Sequence, residues 1–181
     1  MIIDTHAHFT PQAMLASLKS EANQFPNVEL LHQDDSYQLV FAGRSPTRPM
    51  SPKLRETEQR LTWMDEQSID QQIVGGWLDS FGYELSGEEG EAWSRFLNEF
   101  QMNGTDNNSR LTPLATVPLQ DGKRAAMVLE EALAGGFKGT MIGTQPKGNE
   151  GNLDDPDLDP FWETANDLGA TIYLHPMFGC G

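Results

Sequence analysis

Hydrophobic and polar positions alternate along this chain with two periods, and the switches between them mark its elements. Ile2-Ile3-Asp4-Thr5-His6-Ala7-His8 alternates with period two, which predicts a strand with Asp4, His6 and His8 on one face. Ile3, Thr5 and Ala7 are expected on the other. About forty residues then pass before the next clear helix, longer than an ordinary connection. Inside this insertion, Val28-Glu29-Leu30-Leu31 and Tyr37-Gln38-Leu39-Val40-Phe41 flank the polar Gln33-Asp34-Asp35-Ser36 and predict a hairpin. Ser51 followed by Pro52 predicts an N-cap with proline at the first helical position. That helix places Leu54, Leu61 and Met64 along one side and runs out near Ser68.

Residues 70–77 read as a second strand. Ser86 with Glu89 forms a capping box, and Ala92, Trp93, Phe96, Leu97 and Phe100 follow at helical spacing. Asn103-Gly104 and Asn107-Asn108 are expected to break that helix. Residues 110–118 form a third strand. Ala125, Val128, Leu129, Ala132 and Leu133 then make the cleanest apolar stripe, closed by Gly135-Gly136. Residues 137–144 form a fourth strand. Asp159-Pro160 opens a helix carrying Phe161, Ala165 and Leu168 and ending at Gly169. Residues 170–175 form the fifth strand, with Ile172 and Leu174 expected toward covering helices and Thr171, Tyr173 and His175 on the opposite face. Strand and helix alternate throughout, which argues for parallel βα units.

Composition narrows the function. The chain has 181 residues, enough for one domain with a substantial core. A net charge of −15 disfavours nucleic acid and anionic membrane surfaces. No apolar run approaches the ~20 residues that span a bilayer. Met1 leads straight into a strand pattern rather than a secretory signal, and a cytoplasmic location is expected. Cys180 is the only cysteine, so neither an internal disulfide nor a thiolate metal cluster is possible within this sequence.

The candidate chemistry lies at strand ends. His6 and His8, two apart, can both reach one metal ion, although His-x-His alone is a weak motif. His175 closes the fifth strand as His8 closes the first, and parallel strands open both ends onto one face. His32 falls in the hairpin and is expected to be solvated. Arg44 and Arg48 lie in a basic stretch of this acidic protein and suit bidentate capture of a carboxylate, against the plainer reading of solvated loop arginines. Trp77 ends the second strand as a pocket wall or as plain core. The acidic run at residues 154–159 has Pro160 and Asn166 where a calcium loop needs Gly and Glu. Capping and solvation account for it, as for Glu88, Glu89 and Glu91. Neither a phosphate loop nor a Gly-x-Ser-x-Gly elbow is present.

Ile3-Asp4-Thr5-His6-Ala7-His8-Phe9, Leu114-Ala115-Thr116-Val117-Pro118-Leu119-Gln120, Gly136-Phe137-Lys138-Gly139-Thr140-Met141-Ile142-Gly143-Thr144 and Leu174-His175-Pro176 together resemble the amidohydrolase superfamily. Within it they resemble the decarboxylase-type branch, typified by aminocarboxymuconate-semialdehyde decarboxylase. Asn152-Leu153-Asp154-Asp155-Pro156 and Asp159-Pro160-Phe161-Trp162 extend the match. The resemblance implies a (β/α)8 TIM barrel of the metal-dependent hydrolase type, of which residues 1–181 carry about the first five βα units. It implies one divalent metal, usually zinc, held by His6, His8 and His175, and a cap over the site at residues 9–50. A cap arginine, Arg44 or Arg48, would bind the carboxylate of a small-molecule substrate. The family's catalytic histidine on the sixth strand and aspartate ligand on the eighth would lie beyond residue 181. The implied reaction is decarboxylation of a small unsaturated or aromatic acid, with hydrolysis of a lactone, ester or amide as the alternative. An inactive fragment or binding module is a further alternative for the isolated chain. A homodimer is the family-level expectation.

Overall fold

The computed structural model describes residues 1–106, 108–147 and 151–177, so Asn107 and Cys180 lie outside the described residues. The first strand, β1 (Ile3–His8), is followed by a helix, α1 (Gln12–Ser20), that the hydrophobic pattern did not reveal. It is only nine residues long, and Met14, Leu15 and Leu18 bury its inner side against the third helix described below. The expected hairpin is present as β2 (Val28–Gln33) and β3 (Ser36–Phe41), paired antiparallel.

The helix expected from Ser51 is divided. Pro52–Leu54 make a single 3-10 turn, and α2 begins afresh at Thr57 (Thr57–Glu66). The carbonyls of Leu54 and Arg55, which a continuous helix would need, accept instead from the Thr10 and Gln12 amides at 2.8 and 3.2 Å. Arg55 is also drawn inward, donating from Nη1 to Gln12 Oε1 at 2.9 Å and from Nη2 to Asp35 Oδ1 at 2.9 Å. Tertiary bonds outcompete the local cap here.

After β4 (Gln71–Gly75) comes α3 (Gly87–Thr105), opened by the Ser86–Glu89 capping box. Trp93, Phe96 and Leu97 are buried, whereas Ala92 is exposed. The helix runs through Asn103-Gly104 rather than breaking there. A Cβ on Gly104 would lie 2.6 Å from the Phe9 ring, and the Gly104 carbonyl accepts from Thr57 Oγ1 at 3.1 Å. Close packing therefore selects glycine at a helical position. Polar residues also face inward: Asn98 donates to the Thr116 carbonyl at 2.9 Å and accepts from its amide at 2.7 Å. Gln101 donates to the Val74 carbonyl at 3.1 Å. Asn98 thus serves the Thr116 backbone beyond the short next strand, β5 (Leu111–Pro113), while Gln101 adds a second donor to the Val74 carbonyl, which also accepts from the Leu114 amide at 2.8 Å.

The chain closes with α4 (Gly122–Ala134), β6 (Gly139–Gly143), α5 (Asp159–Asp167) and β7 (Thr171–His175). Asp121 caps α4, and of its stripe Ala125, Val128, Leu129 and Ala132 are buried while Leu133 is half-buried. The cap expected at Asp159 sits one turn earlier, where Asp155 accepts from the Asp157 amide of a preceding 3-10 turn. Leu168, expected on the buried side of α5, is 49% exposed at its C-cap.

All five strands outside the hairpin run parallel. β1 pairs with β4, β4 with β5 and β6 with β7, while a bridge from Ala115 to Thr140 links the two groups. Helices α4 and α5 pack on the later strands through Val128, Leu129 and Phe161, and α2 packs on β1 and β4 through Met64. Among the described residues, no helix is long and apolar enough to cross a membrane.

The capping box yields a first prediction. The Ser86 hydroxyl accepts from the Glu89 amide at 3.3 Å, and Glu89 returns a bond to the Ser86 amide at 3.3 Å. Ser86→Ala should cost about 1 kcal/mol of unfolding free energy at pH 7, measured by urea denaturation. Bonds from Ser86 and Asn27 hold the Glu89 carboxyl below its usual range. A lowered carboxyl pKa stabilises the fold above the unfolded value and loses that effect as pH falls through the folded value. The mutational cost should therefore shrink in acid.

Candidate metal centre

The first strand does not alternate as its sequence suggests. Asp4 pairs with Gln72, but the next partners are Ala7 with Val74 and His8 with Gly75. Thr5 and His6 thus stand opposite Ile73 alone, which makes a β-bulge. Cross-strand partners point to the same side, so the bulge sends Asp4 with Ala7 toward α2. The expectation that Asp4 shares the histidines' face is corrected: Asp4 Oδ2 accepts from Gln72 Nε2 at 2.7 Å on the helix-covered side.

His6 and His8 turn the other way and meet His175. Their ring centroids are 5.2 Å apart, and those of His6 and His8 lie 4.8 and 5.0 Å from that of His175. One ligand-capable atom from each of the three lies within 4.8 Å of the others, and the His6 and His175 Nε2 atoms face each other at 2.9 Å. His8 Nδ1 lies 2.9 Å from the Gly76 carbonyl, and His175 Nδ1 lies 2.8 Å from the Pro176 carbonyl. A carbonyl can only accept, so each Nδ1 donates, which leaves Nε2 as the nitrogen that can take a metal when the ring is neutral. Carbonyls that fix the tautomer in this way commonly support metal-ligating histidines. Burial lowers the His8 pKa, partly offset by the Gly76 bond, which keeps this imidazole neutral at pH 7.

The floor of the site depends on a missing side chain. Gly75 stands opposite His8, and a Cβ there would lie 2.4 Å from the Met141 methyl carbon. The fully buried Met141 fills that space. Tyr173, two residues before His175, places its ring 5.6 Å from His6, on the face expected for it. Leu174 was expected beneath helices but is 53% exposed, whereas Ile172, two residues earlier on the same face, packs against the core formed with α4 and α5.

The three candidate substrate-binding residues fall out differently. Arg48 makes a bidentate pair with Asp79, Nε and Nη2 each donating at 2.8 Å, and its guanidinium carbon lies 5.9 Å from the Trp77 ring centre. Asp79 holds the Arg48 pKa above its ordinary value. Trp77 is buried, one residue after the carbonyl that orients His8. Arg44 is exposed on the loop after β3. His32 stacks on Tyr37, with ring centres 4.2 Å apart, away from the histidine cluster. Sequence reasoning missed Asp79 and the buried Arg60, whose Nη2 donates to the His8 carbonyl from α2. A lone arginine on a helix gives no sequence signal of burial.

The sequence matches the amidohydrolase family over residues 3–179. It is 24% identical over 176 residues to 2-amino-3-carboxymuconate-6-semialdehyde decarboxylase from Dictyostelium discoideum, covering 96% of this chain and 48% of that protein. Among solved structures, the IDCase of Metarhizium anisopliae in apo form superposes with a TM-score of 0.73 at 22% identity, over 100% of this chain and 52% of that one. The 5-carboxyvanillate decarboxylase of Novosphingobium aromaticivorans, complexed with manganese and 4-hydroxy-3-methoxy-5-nitrobenzoic acid, gives a TM-score of 0.71 at 19% identity. That match covers 97% of this chain and 50% of the other. The chain spans half or less of the length of the curated relatives it matches.

Proposed function

Because this chain belongs to the amidohydrolase family, we propose that it forms the first five βα units of a (β/α)8 barrel whose complete form is a metal-dependent carboxy-lyase. Its substrate is a small unsaturated or aromatic carboxylic acid. The observation that carries this reading is the convergence of His6, His8 and His175 from the carboxyl ends of two parallel strands. Two relatives named as decarboxylases, one of them in a complex with manganese and a benzoic acid, support the reaction class. Residues 9–50 would cap the site. Two features support a missing remainder: β1 and β7 each lack a second strand partner among the described residues, and Ile2, Ile3 and Leu174 beside them are about half exposed.

In this reading His6, His8 and His175 hold one divalent ion through imidazole nitrogens, a donor set that suits zinc. When bound, the ion supplies Lewis-acid polarisation of a substrate oxygen. The chain's own residues do the rest of what this half contributes. Gly76 and Pro176 carbonyls hold the tautomers of His8 and His175. Arg44, exposed on its loop, and Arg48 are both candidates for the substrate carboxylate. Asp79 occupies the Nε–Nη2 edge of Arg48, so a substrate would have to displace it or use another edge. Trp77, buried in the core beneath Arg48, would shape the site from behind. Loss of carbon dioxide breaks the bond to the carboxylate carbon and leaves an electron pair that takes up a proton. The family's proton-handling histidine belongs to the sixth strand.

Two outcomes follow. The 181-residue chain by itself should show no turnover and should bind less than one zinc per chain, read by metal analysis after dialysis. A protein continued through the sixth and eighth strands should release labelled carbon dioxide from a carboxyl-labelled aromatic or unsaturated acid. Hydrolysis of a lactone, ester or amide without carbon dioxide release would instead establish the hydrolase. Robust turnover by the isolated chain would contradict the half-barrel reading.

A further inference from the structure

We propose that Asp4, Gln72 and Arg60 form a clamp on the β1 backbone that positions His6 and His8 for the metal ion; this use of the clamp rests on the metal reading above. The three side chains make one continuous run of hydrogen bonds, with Arg60 donating to both neighbours and Asp4 accepting from both. Arg60 Nη2 donates to the His8 carbonyl, and Arg60 Nη1 donates to Gln72 Oε1 at 2.6 Å. Gln72 Nε2 donates to Asp4 Oδ2 at 2.7 Å, and Asp4 Oδ1 accepts from the His6 amide at 3.0 Å. Both ends of the run therefore terminate on the backbone of a histidine in the cluster.

The clamp spans the bulge between Asp4 and Ala7. A bulge leaves its extra residue unpaired and disrupts the ladder locally, so the residues in it lack part of the restraint the sheet gives. Here the restraint comes from the opposite face of the sheet, through groups that touch no ligand atom. Arg60 is 8% exposed, stacks 5.2 Å from the Phe9 ring centre, and its buried Nε has no hydrogen-bond partner among the described residues. Burial lowers its pKa to about 10, opposed by Asp4, so it stays charged at neutral pH. A buried cation with an unsatisfied donor is poor value for stability alone, since well-packed apolar residues commonly serve as well. A positioning role gives this buried cation a use beyond stability.

The two acceptor oxygens of Asp4 give the test its discrimination. Asparagine has the same shape but one acceptor oxygen, so Asp4→Asn must lose either the His6 amide or the Gln72 amide. Titration of the 181-residue chain with cobalt(II), followed by its visible absorption, should show about 10-fold weaker binding in Asp4→Asn, the scale typical of groups that support metal ligands. Gln72→Met, which keeps volume but removes both of its bonds, should do the same. Asp70→Asn, at the exposed start of β4, should leave binding unchanged. In the metal-free proteins, hydrogen exchange of the His6 amide should be faster in both clamp variants. Circular dichroism confirms that each variant is folded, and if one variant does not fold, the other carries the same comparison. Parent-like cobalt affinity together with parent-like His6 exchange in a folded clamp variant would overturn the proposal. Cobalt binding by the parent that is indifferent to His175→Ala would instead refute the metal reading, while the His6 amide would still decide whether the clamp exists.

Discussion

Replacing His175 with alanine is expected to weaken divalent-metal binding by about 100-fold or more, with little change in fold stability. The estimate follows from sharing the ~10–16 kcal/mol of a four-ligand zinc site among its donors, at roughly 3 kcal/mol each. In this chain only three imidazoles converge, so losing one leaves a pair that any two neighbouring histidines could match. The side chain stands half-buried at the open end of β7, and its ring contacts are with His6 and His8. Its removal opens no core cavity. Calorimetric titration with zinc checks the result, and His32→Ala is the control, because His32 stacks on Tyr37 instead. Affinity should also fall as pH is lowered, since each imidazole must be neutral to bind. His8, held below the ordinary imidazole pKa by burial, already meets that condition at pH 7.

Gly139→Ala should be the most damaging single-methyl substitution in the sheet. Gly139 pairs with Thr171 at the start of the β6–β7 ladder, and a Cβ there would lie 1.9 Å from the Thr171 carbonyl oxygen. The obstacle is backbone, so no side-chain rotation relieves it. Either the two strands separate or β7 shifts, and β7 carries His175 at its far end. We expect a loss of about 3 kcal/mol in urea unfolding, at the upper end for overpacking. Zinc affinity should fall with it even at temperatures where the variant is folded. Gly169→Ala is the contrast. Its φ of +62° strains an alanine, but nothing lies within 4 Å, so only about 1 kcal/mol is at stake.

These two residues show what could be read from sequence and what could not. The histidines were legible because imidazoles at strand ends carry chemistry in their identity, and strand ends follow from turn residues and periodicity. The α4 stripe and the Ser86–Glu89 box were legible because both are local patterns within one helix. What failed was non-local. The bulge at Thr5 and His6 depends on pairing with β4, so strict alternation placed Asp4 on the wrong face. The break at Arg55 depends on Thr10 and Gln12 claiming two carbonyls from forty residues away. The inward-facing Asn98, Gln101 and Arg60 read as surface residues until the strand ends they satisfy are in place. Leu174 followed the alternation, but the helical cover that packs on Ile172 does not reach the end of the strand where Leu174 is exposed.

The proposed metal site stands or falls on whether His6, His8 and His175 bind one ion together. X-ray absorption at the zinc edge of the loaded chain tests it most directly. Scattering from three imidazole rings is expected at about 2.0–2.1 Å, with ring signals lost stepwise in the alanine variants of these residues and unchanged in His32→Ala. A first shell dominated by carboxylate oxygen, or an imidazole signal that survives all three substitutions, would contradict it.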